Sequence, residues 1–404
     1  MKIICMPYTH TLSHISRPLA VAIELRKRGH DVLFAGESEK IKFIKQEGFT
    51  VIPLYEPDPR VLFGNIRGGK LRFVAEEELD RMVNADRKLF AETKPDIVLS
   101  DGRFTAPIST SIAGIRHAAI VNVSSTEYRA IPYVPFFDWI SQRMIPSGTN
   151  FRHLLDVVNL KLEMLLFDSV MHSFSHLCKK YGISTHVTAT NCLAGKDLTL
   201  LADVPEYFPT RNLPGNYNYI GPLTWRHRSP LPLWWPPKKN KTLLYVTMGT
   251  TGTGNFFDAV YELLKKSGIS AIITTGGQKE GLVTVGERIY VEDYLDGDLV
   301  MDACDLVVCH GGNGTIYQAL QRGKPVLGIP TIPDQQYNMR RVSELKVGKM
   351  LTLEGFLKNP QSLLDAVALI VDNVSYYEAA ERMRTVISAC DPVGQGADLV
   401  LNAV

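Results

Sequence analysis

The sequence lacks the features that mark nucleic-acid-binding and membrane-spanning proteins. Its 44 basic and 42 acidic residues leave a formal net charge of +2. No long Lys/Arg run or aromatic-interleaved basic stripe indicates nucleic-acid binding. No window of about eighteen uncharged apolar residues could form a spanning helix. The opening residues 1–7 are too short for the apolar segment of a signal peptide, so they predict a strand instead.

Cysteine is scarce, and its spacing excludes the common metal and redox motifs. The six cysteines show no C-x-x-C pair and no spacing typical of metal ligands. Cys5 and Cys309 lie in apolar, strand-like runs, where a reduced and buried thiol is expected. We therefore predict a reducing, cytoplasmic compartment and no bound metal.

With 404 residues, the chain is longer than one hydrophobic core usually supports, so two domains are expected. Alternating strand and helix patterns predict an α/β protein with two doubly wound parallel sheets. Residues 222–241 are rich in Pro and Lys and lack periodicity, which predicts an interdomain linker. The predicted domains are therefore residues 1–221 and 242–385.

The clearest chemical motif is a strand, a Gly-rich turn and a helix in the second half. Leu306–Cys309 predicts a buried strand, His310 to Gly314 a turn, and Thr315 the start of a helix that ends at Gly323. Glycines allow close backbone approach, while the first N–H groups of a helix and its dipole favour an anion. His310, at the edge of this turn, could donate to a phosphate. A Gly-rich turn alone is equally typical of an ordinary tight turn.

A longer pattern resembles the donor-site signature of the nucleotide-sugar glycosyltransferases of family 1, which have the GT-B fold. The matching residues are His310, Gly311, Gly312, Gly314, Thr315, Ala319, Leu320, Gly323, Pro325, Asp334 and Gln335. The resemblance implies two Rossmann-like domains that face a cleft, an acceptor domain followed by a donor domain. It also implies that the last segment, 386–404, is a helix that crosses back to the first domain.

The resemblance assigns donor-binding roles in the second domain. Asn313, Gly314 and Thr315 would hold the diphosphate with Gly312 and His310. Thr250, after the first strand of this domain, would contact the same phosphates through its hydroxyl and N–H. Asp334 and Gln335, predicted to lie in a loop after a strand, would bind hydroxyls of the donor sugar.

Two departures from the family pattern concern the nucleoside. Tyr294-Leu295-Asp296 stands where the family usually has an aromatic residue followed by Pro-Gln, so the base would rest on Tyr294 or Leu295. Gln318 replaces the glutamate that binds ribose in the family. A glutamine can hydrogen-bond to ribose hydroxyls, but it carries no charge.

In the first domain, the resemblance makes His14 the match for the catalytic base. The segment Ser13-His14 to Leu19 follows the first strand, although Ser13 replaces the usual glycine and the proline is displaced to Pro18. We predict a polar loop over residues 8–16 and a helix over 17–28. His10 lies in the same loop and is a second candidate for the base, and an exposed loop histidine without a chemical role is the alternative for His14.

Asp101 follows a predicted strand at Ile97–Ser100, so its carboxylate would lie at the ligand-facing end of the sheet. The resemblance implies that Asp101 holds His14. A carboxylate on one imidazole nitrogen fixes the tautomer and stabilises the cation that forms when the other nitrogen takes a proton. An aspartate in an ordinary turn is the alternative interpretation.

Residues 131–139 are aromatic and interrupted by prolines, and 154–174 predict an apolar helix. The resemblance implies that this region shapes the acceptor pocket, which would suit a large apolar acceptor. A membrane-facing patch is the alternative, although no cluster of Lys or Arg accompanies it.

Together these features predict an inverting glycosyltransferase that moves a hexose from a UDP- or dTDP-sugar to a hydroxyl of a small apolar acceptor. The nucleotide sugar would be a co-substrate, and neither a bound cofactor nor a metal is predicted. The alternatives are a GT-B transferase acting on a membrane glycolipid, a nucleotide-sugar epimerase or hydrolase, and a non-catalytic auxiliary homologue. Peripheral membrane contact stays open, and the sequence does not indicate the oligomeric state.

Overall fold

The computed structural model describes residues 1–68, 70–133, 150–225, 230–239, 241–249, 254–278 and 280–403. The chain forms two compact units. One comprises Met1–Leu223 with Asp391–Val404, and the other comprises Thr224–Cys390. Each unit contains a parallel sheet with accompanying helices, which confirms the predicted α/β class. Within the described residues, no helix is long and apolar enough to span a membrane.

The first unit contains a seven-stranded sheet in the order β3-β2-β1-β4-β5-β6-β7, in which all neighbouring pairs are parallel. Its central strands are buried on both faces, so they consist of continuous apolar runs. The strands are β1 Lys2–Pro7, β2 Asp31–Ala35, β3 Val51–Ile52, β4 Ile97–Asp101, β5 Arg116–Val121, β6 Leu198–Leu201 and β7 Tyr217–Tyr219.

Among the described residues of this unit, seven helices lie between these strands along the chain. They are α1 Leu12–Lys27, α2 Ile41–Gln46, α3 Pro59–Arg67, α4 Glu76–Thr93, α5 Ala106–Ala113, α6 Asn150–Val170 and α7 Ser173–Lys180. A 3-10 turn covers Val123–Ser125.

The second unit contains a six-stranded parallel sheet in the order β10-β9-β8-β11-β12-β13. Its strands are β8 Leu243–Thr247, β9 Ser270–Thr274, β10 Ile289–Glu292, β11 Leu306–Cys309, β12 Val326–Gly328 and β13 Gly348–Met350. Its helices are α8 Gly254–Lys266, α9 Gly297–Ala303, α10 Asn313–Leu320, α11 Pro333–Glu344, α12 Leu353–Lys358, α13 Gln361–Val371 and α14 Val374–Ser388.

The last helix, α15 at Pro392–Asn402, belongs to the first unit and packs against α1. Arg28, just after α1, donates from Nη1 to Oδ1 of Asp398 at 2.5 Å. Ala397 and Val400 are fully buried on this helix. The end of the chain therefore completes the unit in which the chain begins.

Three local predictions about the first unit were wrong. Helix α1 begins at Leu12 rather than at Arg17, with Pro18 inside it. We had expected the proline at the start of the helix, because it has no N–H to donate to the preceding turn. Its buried ring is instead accommodated within the helix, so His14 lies in the first turn of α1 and not in a loop.

The second concerns residues 64–69, whose glycines predict a loop, although residues 64–67 form the end of α3. Pro59 occupies the first turn of α3, and the Asp58 side chain accepts from the Arg60 N–H at 2.8 Å. This cap and proline start a helix that tolerates Gly64. The third is the helix over 154–174, which is divided between α6 and α7.

Each sheet has one point at which its strand order reverses direction. In the first sheet this point lies between β1 and β4, where Pro7 pairs with Asp101. In the second it lies between β8 and β11, where Thr247 pairs with Cys309. Ligands of open α/β sheets bind beyond the carboxyl ends of the strands at such points. Residues 8–14 and 101–102 meet at the first point, and residues 248–249 and 310–315 follow the strands at the second.

Candidate active-site residues in the two units

His14 and Asp101 are brought together at the reversal point of the first sheet. Nδ1 of His14 lies 2.6 Å from Oδ1 of Asp101. The Asp101 side chain is fully buried, whereas 29% of the His14 side chain is exposed. Because a carboxylate only accepts, the short contact places the proton on Nδ1, which leaves the Nε2 lone pair as the basic site.

The neighbours of His14 restrict its ring to this position. Gly102 has φ +79°, and a Cβ there would lie 3.1 Å from two ring atoms of His14 and 3.0 Å from Cβ of Tyr8. The Tyr8 ring packs edge-on against the imidazole with 6.4 Å between centroids. Glycine is therefore required after Asp101 both for the backbone conformation and for the space that His14 occupies.

Arg17 is a member of this site that the sequence reasoning missed. Its Nε donates to Oδ2 of Asp101 at 2.7 Å and its Nη2 donates to Oδ1 at 2.6 Å. Its Nη1 donates to Oδ1 of Asn122 at 2.5 Å. Asn122 in turn donates from Nδ2 to both carboxylate oxygens of the buried Asp203, each at 3.2 Å. The proline displaced to position 18 was the nearest departure from the family pattern, and it did not by itself indicate a role for Arg17.

His10, the second candidate for the base, has different surroundings. It lies in the loop before α1, with its ring 5.3 Å from that of Tyr8. Its carbonyl oxygen accepts from Nζ of Lys40 at 3.0 Å. Among the described residues, no carboxylate forms a hydrogen bond with the His10 ring. The geometry thus favours His14 over His10.

An apolar cluster begins beside this site. Tyr8 belongs to it with Leu62, Ile108, Met171 and Phe174. The half-buried aromatic residues packed against it are Tyr55, Phe63, Phe73, Phe104, Phe167 and Tyr181. The predicted aromatic segment 131–139 lies largely outside the described residues.

In the second unit, His310 lies between two glycines. A Cβ at Gly249 would lie 2.7 Å from Cε1 of His310, and one at Gly312 would lie 2.6 Å from Nε2. His310 directly follows β11 at the start of the turn, and its side chain is buried. Burial lowers its pKa to about 4, so the ring is neutral at neutral pH. Among the described atoms, Nδ1 of His310 has no hydrogen-bond partner.

The turn after His310 is held from behind by α11. Gly311 has φ +86°, and a Cβ there would lie 2.7 Å from Cγ of Met339. The buried Asn338 donates from Nδ2 to the Gly311 carbonyl at 3.0 Å. Gly312 is the N-cap of α10, so Asn313, Gly314 and Thr315 form its first turn. Asn338 was not recognised from the sequence, because nothing near it indicates a long-range contact to the turn.

The residues predicted to contact the nucleoside lie close together. The Tyr294 hydroxyl donates to the Gly276 carbonyl at 2.8 Å, and burial raises the pKa of this tyrosine. The Gln318 amide lies against Gly297, where a Cβ would come within 3.2 Å of Nε2. Asp296 caps α9 by accepting from the N–H groups of the first turn. The Gln318 side chain therefore lies beside the Tyr294–Gly297 segment, through its contact with Gly297.

Asp334 and Gln335 lie in the first turn of α11 rather than in a loop, as we had predicted, because Pro333 starts the helix. Gln335 is buried, and its Oε1 accepts from both the N–H and the hydroxyl of Thr331, at 2.8 and 2.9 Å. Asp334 is less buried and accepts from Nδ2 of Asn338 at 3.4 Å. Thr250, the last predicted contact, lies outside the described residues.

In the described part of the chain, no group of three or more His, Cys, Asp or Glu side chains could hold a metal ion. None of the six cysteines, all of which are described, forms a disulfide. The cytoplasmic location inferred from them stays a prediction.

Comparison with known proteins gives the class of this fold. Residues 266–397 match the family described as "Erythromycin biosynthesis protein CIII-like, C-terminal domain". The chain is 32% identical to the "PGL/p-HBAD biosynthesis rhamnosyltransferase" of Mycobacterium bovis (strain BCG / Pasteur 1173P2) over 376 residues, which cover 92% of this chain and 81% of the relative.

Solved structures show the same architecture. The glycotransferase of kitacinnamycin superimposes with a TM-score of 0.70 at 18% identity, covering 100% of this chain and 99% of the other. Glycosyltransferase VinC, in complex with dTDP, superimposes with a TM-score of 0.67 at 18% identity and the same coverage. The fold and the relatives define a glycosyltransferase with the GT-B fold. The chain belongs to family 1 of the nucleotide-sugar-dependent glycosyltransferases, among the enzymes of natural-product biosynthesis.

Proposed function

We propose that this glycosyltransferase moves a hexose from a UDP- or dTDP-sugar to a hydroxyl of a small apolar acceptor, with inversion at the anomeric carbon. The observation that carries this proposal is the 2.6 Å contact between His14 and the fully buried Asp101 at the reversal point of the first sheet. An oriented imidazole with a free Nε2 is the general base that such a transfer requires.

In this mechanism the acceptor hydroxyl gives its proton to Nε2 of His14 while its oxygen bonds to the anomeric carbon. The bond from that carbon to the diphosphate oxygen breaks, and the electron pair leaves with the diphosphate. A single displacement from the opposite side inverts the configuration. Asp101 stabilises the imidazolium that forms and keeps the proton of Nδ1 in place.

The leaving diphosphate would be met by the second unit. The first N–H groups of α10 lack helical partners, and the helix dipole favours an anion at Gly312 to Thr315. His310, neutral because of its burial, would add one N–H donor. Since preorganised donors can meet the leaving charge, we propose a reaction that needs no metal. Thr250 would add a further phosphate contact.

The remaining donor contacts follow from the arrangement of the second unit. Tyr294 would support the base, and the Gln318 amide beside Gly297 would bind the ribose hydroxyls. Asp334, which is more exposed than Gln335, would accept from sugar hydroxyls. Gln335, with its Oε1 engaged by Thr331, would offer only its amide N–H groups.

The proposal is tested by incubating the native protein with dTDP-rhamnose, UDP-glucose and a panel of phenolic, macrolide and lipid acceptors. The rhamnosyltransferase name of the mycobacterial relative and the dTDP bound to VinC make dTDP-rhamnose the first donor to test. Mass spectrometry detects the adduct, and proton NMR of the product gives its anomeric configuration.

His14→Ala and His10→Ala form the matched pair of variants. We expect His14→Ala to lower kcat by about a hundredfold or more while dTDP still binds, because only the base is lost. His10→Ala should retain most of the activity. Full activity in His14→Ala would contradict the assignment of the base. Donor consumption without an adduct would favour an epimerase or hydrolase, and nucleotide binding without turnover would favour an auxiliary homologue.

A lipid-linked acceptor is the second candidate, and α6 favours it. Six large apolar side chains on this helix are exposed at a spacing of mostly three or four residues, which places them along one face. They are Phe151, Leu154, Val158, Leu162, Leu165 and Leu166, with Leu165 68% exposed. Native protein should then sediment with phosphatidylglycerol vesicles, and Leu162→Glu with Leu165→Glu should stay in the supernatant. Equal behaviour of both proteins would remove this candidate.

A further inference from the structure

Arg17 and His14 are three residues apart on α1, so their side chains leave the same face of the helix. The Arg17 guanidinium is buried and engages both oxygens of Asp101, at 2.7 and 2.6 Å. Its Nη2 also lies 3.2 Å from Nδ1 of His14. Asp101 is therefore shared between a permanent cation and the imidazole that it orients.

The protons of this cluster can be placed from the chemistry of its members. Arginine only donates, and an ionised carboxylate only accepts. Nδ1 of His14 and Nη2 of Arg17 therefore both direct their hydrogens at Oδ1 of Asp101, and the 3.2 Å approach joins two donors. Arg17 therefore does not donate a hydrogen bond to a nitrogen of the His14 ring. It leaves Nε2 of His14 free and holds the carboxylate so that Oδ1 stays opposite Nδ1.

The charge of the cluster differs from that of an isolated histidine–carboxylate pair. With His14 neutral, Asp101 and Arg17 cancel. With His14 protonated, the cluster carries one net positive charge at a site where Asp101 is fully buried. Three other titratable groups lie nearby. Tyr8 is neutral and packs edge-on against the His14 ring, and the His10 ring lies 5.3 Å from that of Tyr8. Asn122 lies between Asp203 and Arg17 and forms hydrogen bonds with both. Arg17 is therefore the charge that opposes protonation of His14.

We propose that Arg17 is a positioning residue that fixes the Asp101 carboxylate and offsets part of the effect of the negative charge of Asp101 on His14. As a result, the imidazole remains unprotonated, and so able to accept the acceptor proton, at lower pH than a simple pair would allow. The catalytic part of this inference rests on the role proposed above for His14. The electrostatic part concerns the resting protein and does not depend on turnover.

The test compares the pH dependence of kcat/KM in native protein, Arg17→Met, Arg17→Lys and the control Lys27→Gln. Lys27 is exposed near the end of the same helix, so its replacement removes one positive charge away from the site. We expect Arg17→Met to move the acid limb of the profile up by about one pH unit, with the KM for the donor unchanged. Well below the midpoint of the acid limb, this shift lowers kcat/KM about tenfold.

Arg17→Lys should keep the acid limb near its native position, because the charge is retained. It should lower kcat, because an ammonium cannot hold both carboxylate oxygens in a fixed fork. Lys27→Gln should show the native profile. An unmoved acid limb in Arg17→Met would overturn the proposal, as would an equal shift in Lys27→Gln.

Histidine NMR of the unliganded protein separates this inference from the proposed function. The His14 resonance, assigned by its loss in His14→Ala, should titrate at higher pH in Arg17→Met than in native protein. Arg17→Met alone leaves a buried carboxylate without its cation and could unfold the protein. The double variant Arg17→Met/Asp101→Asn removes both charges and avoids this unpaired carboxylate. Its His14 resonance should titrate at lower pH than in Arg17→Met, and equal midpoints would overturn the proposal. If the native protein transferred no sugar, these titrations would still decide the role of Arg17.

Discussion

The two candidate sites lie at the same topological position of two similar sheets, yet they are built in different ways. At the first, His14 is held by ionised side chains, since Asp101 and Arg17 form a buried pair around it. At the second, His310 is held by close backbone approach, because Gly249 and Gly312 leave only enough room for its ring. The first arrangement suits a group that must accept a proton, and the second suits a group that stays neutral and donates one hydrogen bond.

The difference shows that position in the fold does not determine how a histidine behaves. A carboxylate and a cation at contact distance control the charge state of an imidazole through Coulomb interactions. Burial without a charged neighbour removes the cationic form through desolvation instead, as at His310, whose pKa falls to about 4. Each arrangement can be broken by a different kind of substitution.

The largest effect is expected from Asp101→Asn, which breaks the charged arrangement. The neutral amide no longer stabilises the imidazolium, so kcat should fall by about a thousandfold or more. The variant also leaves the buried Arg17 without its anion, which should lower the free energy of unfolding by about 3 kcal/mol. Single-turnover kinetics and urea unfolding measure the two effects.

Asp96→Asn is the matched control for that substitution. Asp96 is exposed and accepts from the Lys2 N–H at 2.7 Å, and it directly precedes β4, at the end of the strand opposite to Asp101. It should leave kcat unchanged. Native turnover in Asp101→Asn would show that His14 needs no carboxylate and would remove the contrast between the two sites.

The next effect is a loss of folding stability at low pH, which allows His310 to be compared with His117 of the first unit. Burial lowers the pKa of His117 to about 3, and Lys196 contributes to the decrease. Both histidines are neutral when folded but bind a proton once unfolded, so stability falls as pH decreases from about 6.5 towards 4. Each should contribute about 3 kcal/mol of this loss. His117→Gln or His310→Gln should reduce the pH slope by about 1.4 kcal/mol per pH unit in its own sheet.

Hydrogen exchange of the strand amides, read by mass spectrometry, measures that slope separately for each sheet. His117 accepts from the Lys196 N–H at 3.1 Å and lies 2.8 Å from the Ser100 hydroxyl. His117→Gln should therefore also cost stability at pH about 8, more than His310→Gln does. An unchanged pH slope in both variants would show that neither histidine is the source of acid sensitivity.

The smallest effect is expected from Gly312→Ala, which tests the close packing around His310. The new Cβ would lie 2.6 Å from Nε2 of the ring, so the imidazole must move. We expect a loss of about 1–3 kcal/mol in stability and weaker binding of dTDP. Thermal unfolding and titration calorimetry measure these changes.

Gly268→Ala in the same unit is the control, because a Cβ there meets no atom within 4 Å. It should bind dTDP as the native protein does. If Gly312→Ala also kept native stability and affinity, the glycines would not be what positions His310.

The parts of each site that follow from local sequence were predictable. The apolar run before Asp101 places that residue at a strand end, and the Gly-rich turn after Cys309 identifies the candidate phosphate-binding element. Helix α1 was misplaced because the preference of proline for helix starts outweighed the contacts that bury Pro18. Local patterns give element types, but tertiary packing decides where an element begins.

The hydrogen-bond network around His14 could not be predicted from local sequence patterns. Arg17 contacts Asp101 and Asn122 across 84 and 105 residues of sequence, and a single sequence carries no signal for such pairs. The same holds for Asn338, which supports the Gly311 turn from the following helix. Resemblance identified candidate positions in the motif, whereas the side chains that orient them came from the structure alone.

The return of α15 to the first unit affects the order in which the two units can fold during synthesis. The second unit is one uninterrupted stretch, Thr224–Cys390, and can complete its fold as soon as it leaves the ribosome. The first unit completes its fold later, because Ala397 and Val400 are buried within it and are translated after the whole of the second unit. A nascent chain that stops before Pro392 would therefore carry a finished second unit joined to an unfinished first unit, which contains His14.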